Sequence, residues 1–272
     1  MSPGTHTVAV IGTGKIGELM LSGLLRAGWP AGALLATARR AERREALREQ
    51  YGLRVVDNLT AVVEADVIVI AVKPQDAAAL LDEVGGKVPA DKLVVSMCAG
   101  LPTSFFARRL PEGAPVVRVM TNTPALVDQA MTAISAGGHA NGEHLALAEE
   151  LFRPLGRTIR VPESQQDAVT ALSGSGPAYF YLLVEAMIDA GILLGLPRQV
   201  ARDLIVQTAI GSAVMLRDSG EHPVALREAV TSPAGTTIAA IRELERHGVR
   251  AAMLAALEAA RDRARELAAD NA

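Results

Sequence analysis

Cysteine is nearly missing from these 272 residues: Cys98 stands alone, so no intrachain disulfide can form and no cysteine-based metal cluster can be built. That usage fits a reducing, cytoplasmic setting, and no metal is expected. Aromatic side chains make up only 3% of the chain. Alanine, leucine and valine must therefore fill the core, which suits closely crossing helices and a parallel sheet covered on both faces. A charge excess of one sign is also missing. The formal net charge of -3 gives no electrostatic footprint for nucleic acid or a membrane surface. Lysine is confined to Lys15, Lys73, Lys87 and Lys92, and none lies beyond residue 162. The opening residues lack the charged and then apolar pattern of a secretory signal. The five histidines, His6, His139, His144, His222 and His247, fall mostly in terminal or loop-like positions and read as surface groups. One run, Gly176 to Leu196, is apolar and nearly long enough to span a bilayer. Glu185 and Asp189 lie four apart in its middle, so it reads as a buried helix with a partner subunit as its cover.

What is present divides into two halves. From Val8 to Val161 short β-branched runs alternate with amphipathic segments, the pattern of repeated βα units. Strands are expected at Val8 to Ile11, Leu34 to Thr37, Arg54 to Val56, Val67 to Val72, Leu93 to Ser96 and Val116 to Met120, with weaker signals at Met131 to Ser135 and Thr158 to Val161. Beyond Val161 only helices are expected, at Asp167 to Leu172, Pro177 to Leu194, Arg198 to Arg217, Val224 to Val230, Pro233 to His247 and Arg250 to Ala268. The fold class is therefore α/β, an N-terminal Rossmann-type parallel sheet domain followed by an all-α C-terminal domain. The boundary near Pro162 gives domains of 1–162 and 163–272.

Gly12, Thr13, Gly14, Lys15, Ile16 and Gly17 directly follow the first strand and open a helix. In this setting glycines permit a tight turn and close backbone approach, and the helix N-terminus faces a pyrophosphate. An NAD enzyme would place an acid at the end of the second strand, but no acid lies between Glu18 and Glu42. Thr37, Arg39 and Arg40 occupy that place, a hydroxyl and two guanidinium groups suited to a 2′-phosphate. The cofactor is therefore read as NADPH, with NADH as a weaker alternative. Lys73 and Pro74 follow Ala71 and Val72 at the carboxyl edge of the sheet, where ligands bind in such folds. Asn58, Ala99, Gly100 and Asn122 fall in equivalent strand-end loops.

A second anion site is expected in the helical half. Ser232 reads as an N-cap, Pro233 as the first helical residue, and Ile238, Ile241 and Leu244 as the apolar stripe that follows. The uncharged run Val230 to Thr237 would offer free amides at Gly235, Thr236 and Thr237 to a carboxylate, backed by the helix dipole.

Together these motifs resemble those of pyrroline-5-carboxylate reductase, over nearly the whole chain. The signposts are the N-terminal fingerprint, Ala71-Val72-Lys73-Pro74-Gln75, Asn122-Thr123-Pro124, the run Ser173 to Tyr179, and above all Val230 to Thr237. The resemblance implies hydride transfer from NADPH to the imine carbon of 1-pyrroline-5-carboxylate, giving L-proline in the last step of proline biosynthesis. It further implies that Ser232, Gly235, Thr236 and Thr237 bind the substrate carboxylate, that Thr237 hydrogen-bonds the ring nitrogen and is the catalytic residue, and that Glu163 lies near the substrate. Helical domains interlocked in a homodimer, with rings of dimers above it, are implied as well. Two positions depart from the family pattern: Ala234 replaces a usual glycine, and Thr121 a usual proline.

The imine can enter already protonated, so no lysine or histidine acid is required. Rival readings remain. A hydroxyacid dehydrogenase of similar layout relies on a lysine in the helical half, where this chain has none. A reductase of another cyclic imine differs only in the substrate loop. A noncatalytic NADP sensor would keep the fingerprint and Arg39 but would not need the anion-binding helix start.

Overall fold

The run Val8–Ile11 is buried at every residue, and its side chains alternate between two cores. Val8 and Val10 pack with Met20, Leu21 and Leu24 on one face, while Ala9 and Ile11 pack with Ile68, Ile70 and Phe105 on the other. Period-2 alternation makes a strand covered on both faces, and β-branched residues fit its pleat. The computed structural model describes residues 6–271. Its sheet contains β1 (Val8–Ile11), β2 (Leu34–Ala36), β3 (Arg54–Val55), β4 (Val67–Ile70), β5 (Leu93–Ser96), β6 (Val116–Met120), β7 (Ala130–Ala136) and β8 (Gly156–Arg160). Their spatial order is β3-β2-β1-β4-β5-β6-β7-β8.

Strands β1 to β6 run parallel, in the order that places a dinucleotide crevice where β1 meets β4. The all-parallel expectation fails at β7, which pairs antiparallel with β6, and β8 then runs parallel to β7. The connection 121–129 carries only a 3-10 turn at Thr123–Val127. A parallel return needs a crossover of about a dozen residues or more, so this chain turns straight back.

Helices α1 (Lys15–Arg26), α2 (Ala41–Tyr51), α3 (Asn58–Glu64), α4 (Pro74–Val84), α5 (Thr103–Ala107) and α6 (Gly142–Phe152) cover the sheet. Residues expected to form one helix at Asp167 to Leu172 instead form a short α7 (Gln166–Val169) followed by a π turn at Thr170–Gly174. The Ser175 amide donates to the Thr170 carbonyl across that wider turn.

The chain clusters into two compact units. The first ends at Ser175 and regains the chain from Ala260; the second is Gly176–Ala259. In the second, α8 (Gly176–Leu193) and α9 (Arg198–Asp218) form a hairpin in which Gly191 faces Ala201 so closely that a Cβ would lie 2.9 Å from the alanine methyl. Then follow α10 (Pro223–Ala229), α11 (Thr236–Arg246) and α12 (Val249–Asn271), whose last turns belong to the first unit. The segment Glu163–Leu193 is apolar and long enough to cross a membrane by length and composition. No residue of α8 is buried within this chain: Tyr181 is 61% and Leu193 89% exposed.

Candidate functional site

Two places in the structure carry the expected chemistry. The first is a cleft of about 1140 Å³ between the turns that follow β1, β2 and β4. Gly12 has φ +84, and a Cβ there would lie 2.4 Å from Val72 Cγ1 and 3.0 Å from the Val72 amide. Only glycine lets the two strand-end turns touch. Gly17 lets α1 settle on β1, since its Cβ would sit 3.1 Å from Val10 Cγ1. Gly14 differs: its Cβ would meet nothing nearer than the Gly12 carbonyl at 4.0 Å. Gly14 caps α1 with no side-chain bond, so the first amides of the helix point into open space as donors. The residues therefore fit a pyrophosphate, and the missing Cβ at Gly14 is the room it needs.

Thr37 is 3% exposed, and its hydroxyl accepts the Gly12 amide at 3.2 Å while its carbonyl accepts the Thr13 amide at 2.8 Å. It holds the turn from within while lining the cleft. Arg39 is largely exposed and paired with Asp76 at 2.5 Å. Arg43 lies pinned beside it: Nε donates to the Thr13 carbonyl at 3.2 Å and the guanidinium pairs with Glu18. Its place three residues past Arg40, on the same helical face, was the available signal. Lys15, Arg40, Arg44 and Lys73 line the same cleft without an ion-pair partner among the described residues. That unmatched positive charge suits a ligand with several phosphates. A second cleft, of about 1070 Å³ beside Trp29, has Asp66, Asp91, Glu143 and Glu150 in its wall, and its Lys92 is spent on Asp66 at 2.8 Å. It repels a polyanion.

Asn58, Ala71, Val72 and Lys73 line the first cleft, whereas Ile16, Pro74, Ala99, Gly100 and Asn122 do not. Asn58 donates to Glu83 at 3.2 Å. Cys98 is buried, and desolvation pushes its thiol up to about 12, so it takes no part in nucleophilic chemistry at neutral pH. Asn122 is engaged on both sides of its amide, with the Met131 amide and with Ser173. Thr121 accepts a 2.9 Å bond from Thr132 that a proline in its place would lack.

Glu163 is held by side-chain contacts. Its two oxygens accept the Thr103 amide at 2.6 Å and the Thr103 hydroxyl at 2.7 Å, and the buried Arg118 stands 3.7 Å away. Both oxygens are thus committed to the start of α5, and Arg118 reaches Asp167 at 3.6 Å as well. Glu163 thus ties its own turn to the start of α5.

The second place lies in the helical unit. Ser232 is not an N-cap. Its carbonyl accepts the Gly235 amide at 3.1 Å, closing a β-turn with Pro233 second and Ala234 third. Ala234 has φ +57, the conformation for which glycine is favoured in that turn position. Helix α11 starts at Thr236, with Gly235 as N-cap and no side-chain cap. The Gly235 amide is therefore spent in the turn. The first intrahelical bond runs from Ala239 to the Gly235 carbonyl, which leaves the amides of Thr236, Thr237 and Ile238 without an intrahelical acceptor, as donors that could serve an anion. A Cβ at Gly235 would lie 2.3 Å from the Ser232 hydroxyl and 3.2 Å from the Ser232 carbonyl, so a side chain there would force that hydroxyl to turn away.

The chain is similar to known proteins over most of its length. Residues 163–267 match the family model described as pyrroline-5-carboxylate reductase dimerisation. Residues 7–100 match that described as NADP oxidoreductase, coenzyme F420-dependent. A pyrroline-5-carboxylate reductase of Corynebacterium melassecola is 44% identical, over 96% of this chain and 98% of its own. One from Mycobacterium tuberculosis is 43% identical over 97% of each chain. Among solved structures, a pyrroline-5-carboxylate reductase from Coxiella burnetii superposes with a TM-score of 0.89 at 34% identity, covering 97% of this chain and 98% of that one. The Plasmodium falciparum enzyme, with NADP bound, gives 0.87 at 26% identity over 98% and 100%. With relatives alike from end to end and at 34 to 44% identity, the chain belongs to the pyrroline-5-carboxylate reductase family.

Proposed function

We propose that this chain carries out the reaction of its family, the NADPH-dependent reduction of 1-pyrroline-5-carboxylate to L-proline, with Thr237 as its catalytic residue. The observation that carries the reading is the start of α11, where three amides stand open and the stretch itself holds no charge. The amides of Thr236, Thr237 and Ile238 bind the substrate carboxylate, with the dipole of α11 behind them. Ser232 and Gly235 fix the turn that aims them. Bound NADPH supplies the hydride to the C=N carbon. The Thr237 hydroxyl holds the ring nitrogen, which gains amine character in the reaction and already carries its proton on entry. The protein thus contributes alignment in place of an acid.

Residues 1–162 form the NADP-binding part in this reading, and 163–272 the dimerisation and substrate-binding part. In the first, Gly12 to Gly17 receive the pyrophosphate, Arg39 and Arg40 the 2′-phosphate with Thr37 fixing their loop, and Asn58 with Ala71, Val72 and Lys73 form the cleft wall, which Pro74 follows at the start of α4. Ala99, Gly100 and Asn122 continue the strand-end edge beyond that cleft. The exposed apolar side chains of α8 and α9 are the surface of a homodimer, and rings of dimers build on it. The enzyme works in the cytoplasm, and NADH serves as a weaker donor.

The test is direct. Loss of nicotinamide absorbance is followed with synthetic 1-pyrroline-5-carboxylate and either cofactor. Turnover with NADPH above that with NADH is expected, and Thr237→Ala should reduce turnover by about one to three orders of magnitude with NADPH affinity retained. Turnover only with a different cyclic imine would reassign the substrate. NADPH binding without turnover of any imine would favour a sensor.

A further inference from the structure

The fingerprint and α11 leave one motif without an assigned role, the stretch Ser173 to Pro177, whose start lies in the π turn. Such turns are rare and occur mostly where a helix must present groups that regular geometry would hide. This one is tied to the end of β6 by a single side chain. Asn122 Oδ1 accepts the Met131 amide at 3.1 Å, which fixes the orientation of the side-chain amide. Its Nδ2 then donates to the Ser173 carbonyl at 3.2 Å and lies 3.3 Å from the Ser173 hydroxyl oxygen. Gly174 packs where a Cβ would lie 2.4 Å from Met120 Cε, at the end of the same strand. Asn122 thus locks the π turn against β6, and it does so through the donor half of its amide.

That direction has a chemical consequence. A serine hydroxyl has two lone pairs and one proton. With Asn122 donating to its oxygen, Ser173 keeps the proton for an acceptor elsewhere, and no described residue takes it. The end of β6 belongs to the second mononucleotide half of the sheet, the half that holds the nicotinamide end of a dinucleotide. We infer that Asn122 is a positioning residue. It fixes the Ser173 hydroxyl as a donor to the carboxamide oxygen of the nicotinamide ring, so the ring is oriented through a residue that never touches the cofactor. This inference rests on the cofactor reading given above.

The experiment uses full-length protein and two ligands: NADP, and 2′-phosphoadenosine 5′-phosphate, a fragment that lacks the nicotinamide half. Asn122→Asp keeps the acceptor for Met131 but sets a carboxylate against the Ser173 carbonyl and turns the Ser173 hydroxyl inward as its donor. Ser173→Ala removes the hydroxyl and leaves the bond from Asn122 to the carbonyl. By calorimetric titration each variant should bind NADP roughly 3- to 10-fold more weakly, the value of one neutral hydrogen bond. Fragment affinity should change less than about twofold, and the double variant should lose no more than the worse single one. A proportional loss for the fragment, multiplying effects in the double variant, or NADP affinity unchanged in Ser173→Ala would overturn the inference. Should Asn122→Asp fail to fold, Ser173→Ala with the two ligands decides. A wild-type protein that binds the fragment but not NADP any more tightly also overturns it, whereas one that binds neither ligand overturns the cofactor reading beneath it.

Discussion

Replacing Gly14 by alanine should separate stability from cofactor binding. Gly14 has φ -82 and ψ -157, an extended conformation open to alanine, and the nearest atom to the new methyl is 4.0 Å away. The folded state is unstrained, while the unfolded chain loses freedom. Gly14→Ala should therefore raise stability by about 0.4 to 1 kcal/mol, on the order of 1 to 4 °C in melting temperature. The methyl, however, fills the space assigned to the pyrophosphate. Displacing that group forfeits one or two charge-assisted hydrogen bonds at about 1.5 to 3 kcal/mol each, so the Kd for NADPH should rise roughly 10- to 100-fold or more. Gly12→Ala is the contrast: with φ +84 and a methyl 2.4 Å from Val72 Cγ1, it should lose about 1 to 3 kcal/mol of stability as well as binding. Thermal melts without cofactor and fluorescence titration with NADPH read both quantities. Wild-type affinity in Gly14→Ala would refute the assignment of that space to the cofactor.

Other expectations follow from single contacts. The double substitution Arg39→Ala, Arg40→Ala should raise KM for NADPH about tenfold or more and leave KM for NADH nearly unchanged, since only the former has a 2′-phosphate; an equal rise for both would move the phosphate site elsewhere. Ala234→Gly relieves a left-handed alanine worth about 1 to 2 kcal/mol, offset by about 0.5 to 1 kcal/mol of glycine entropy. Its melting temperature should rise by about 1 to 4 °C, and a fall would mean that the turn is not strained. Cys98, raised to about 12 by burial, should stay unmodified by iodoacetamide at pH 8 in the native protein and react once denatured; fast native labelling would contradict its placement in the core.

Much of the sheet was legible because a strand buried on both faces leaves a plain mark, as in Val8–Ile11 and Val67–Ile70. Gly12 and Pro74 were legible because the backbone allows few alternatives there. The direction of β7 was not, since the length of a connection constrains it and the residues of the strand itself do not. Ser232-Pro233 misled for a specific reason: serine and then proline suits both a helix N-cap with N1 and the first two positions of a β-turn. The positive φ at Ala234, invisible in composition, decides for the turn and moves the anion site one residue onward. The contacts of Glu163 and Arg43 were not legible because their partners, Thr103 and the Thr13 carbonyl, are remote in sequence. The π turn leaves no periodicity signal of its own.

In the proposed reaction main-chain amides, without a cationic side chain, hold the substrate's carboxylate. A crystal structure with NADP and a nonreactive proline mimic tests it most directly. Carboxylate oxygens are expected within hydrogen-bond distance of the Thr236, Thr237 and Ile238 amides, with the ring nitrogen on the Thr237 hydroxyl. A carboxylate held by arginine or lysine, or bound away from the start of α11, would contradict it.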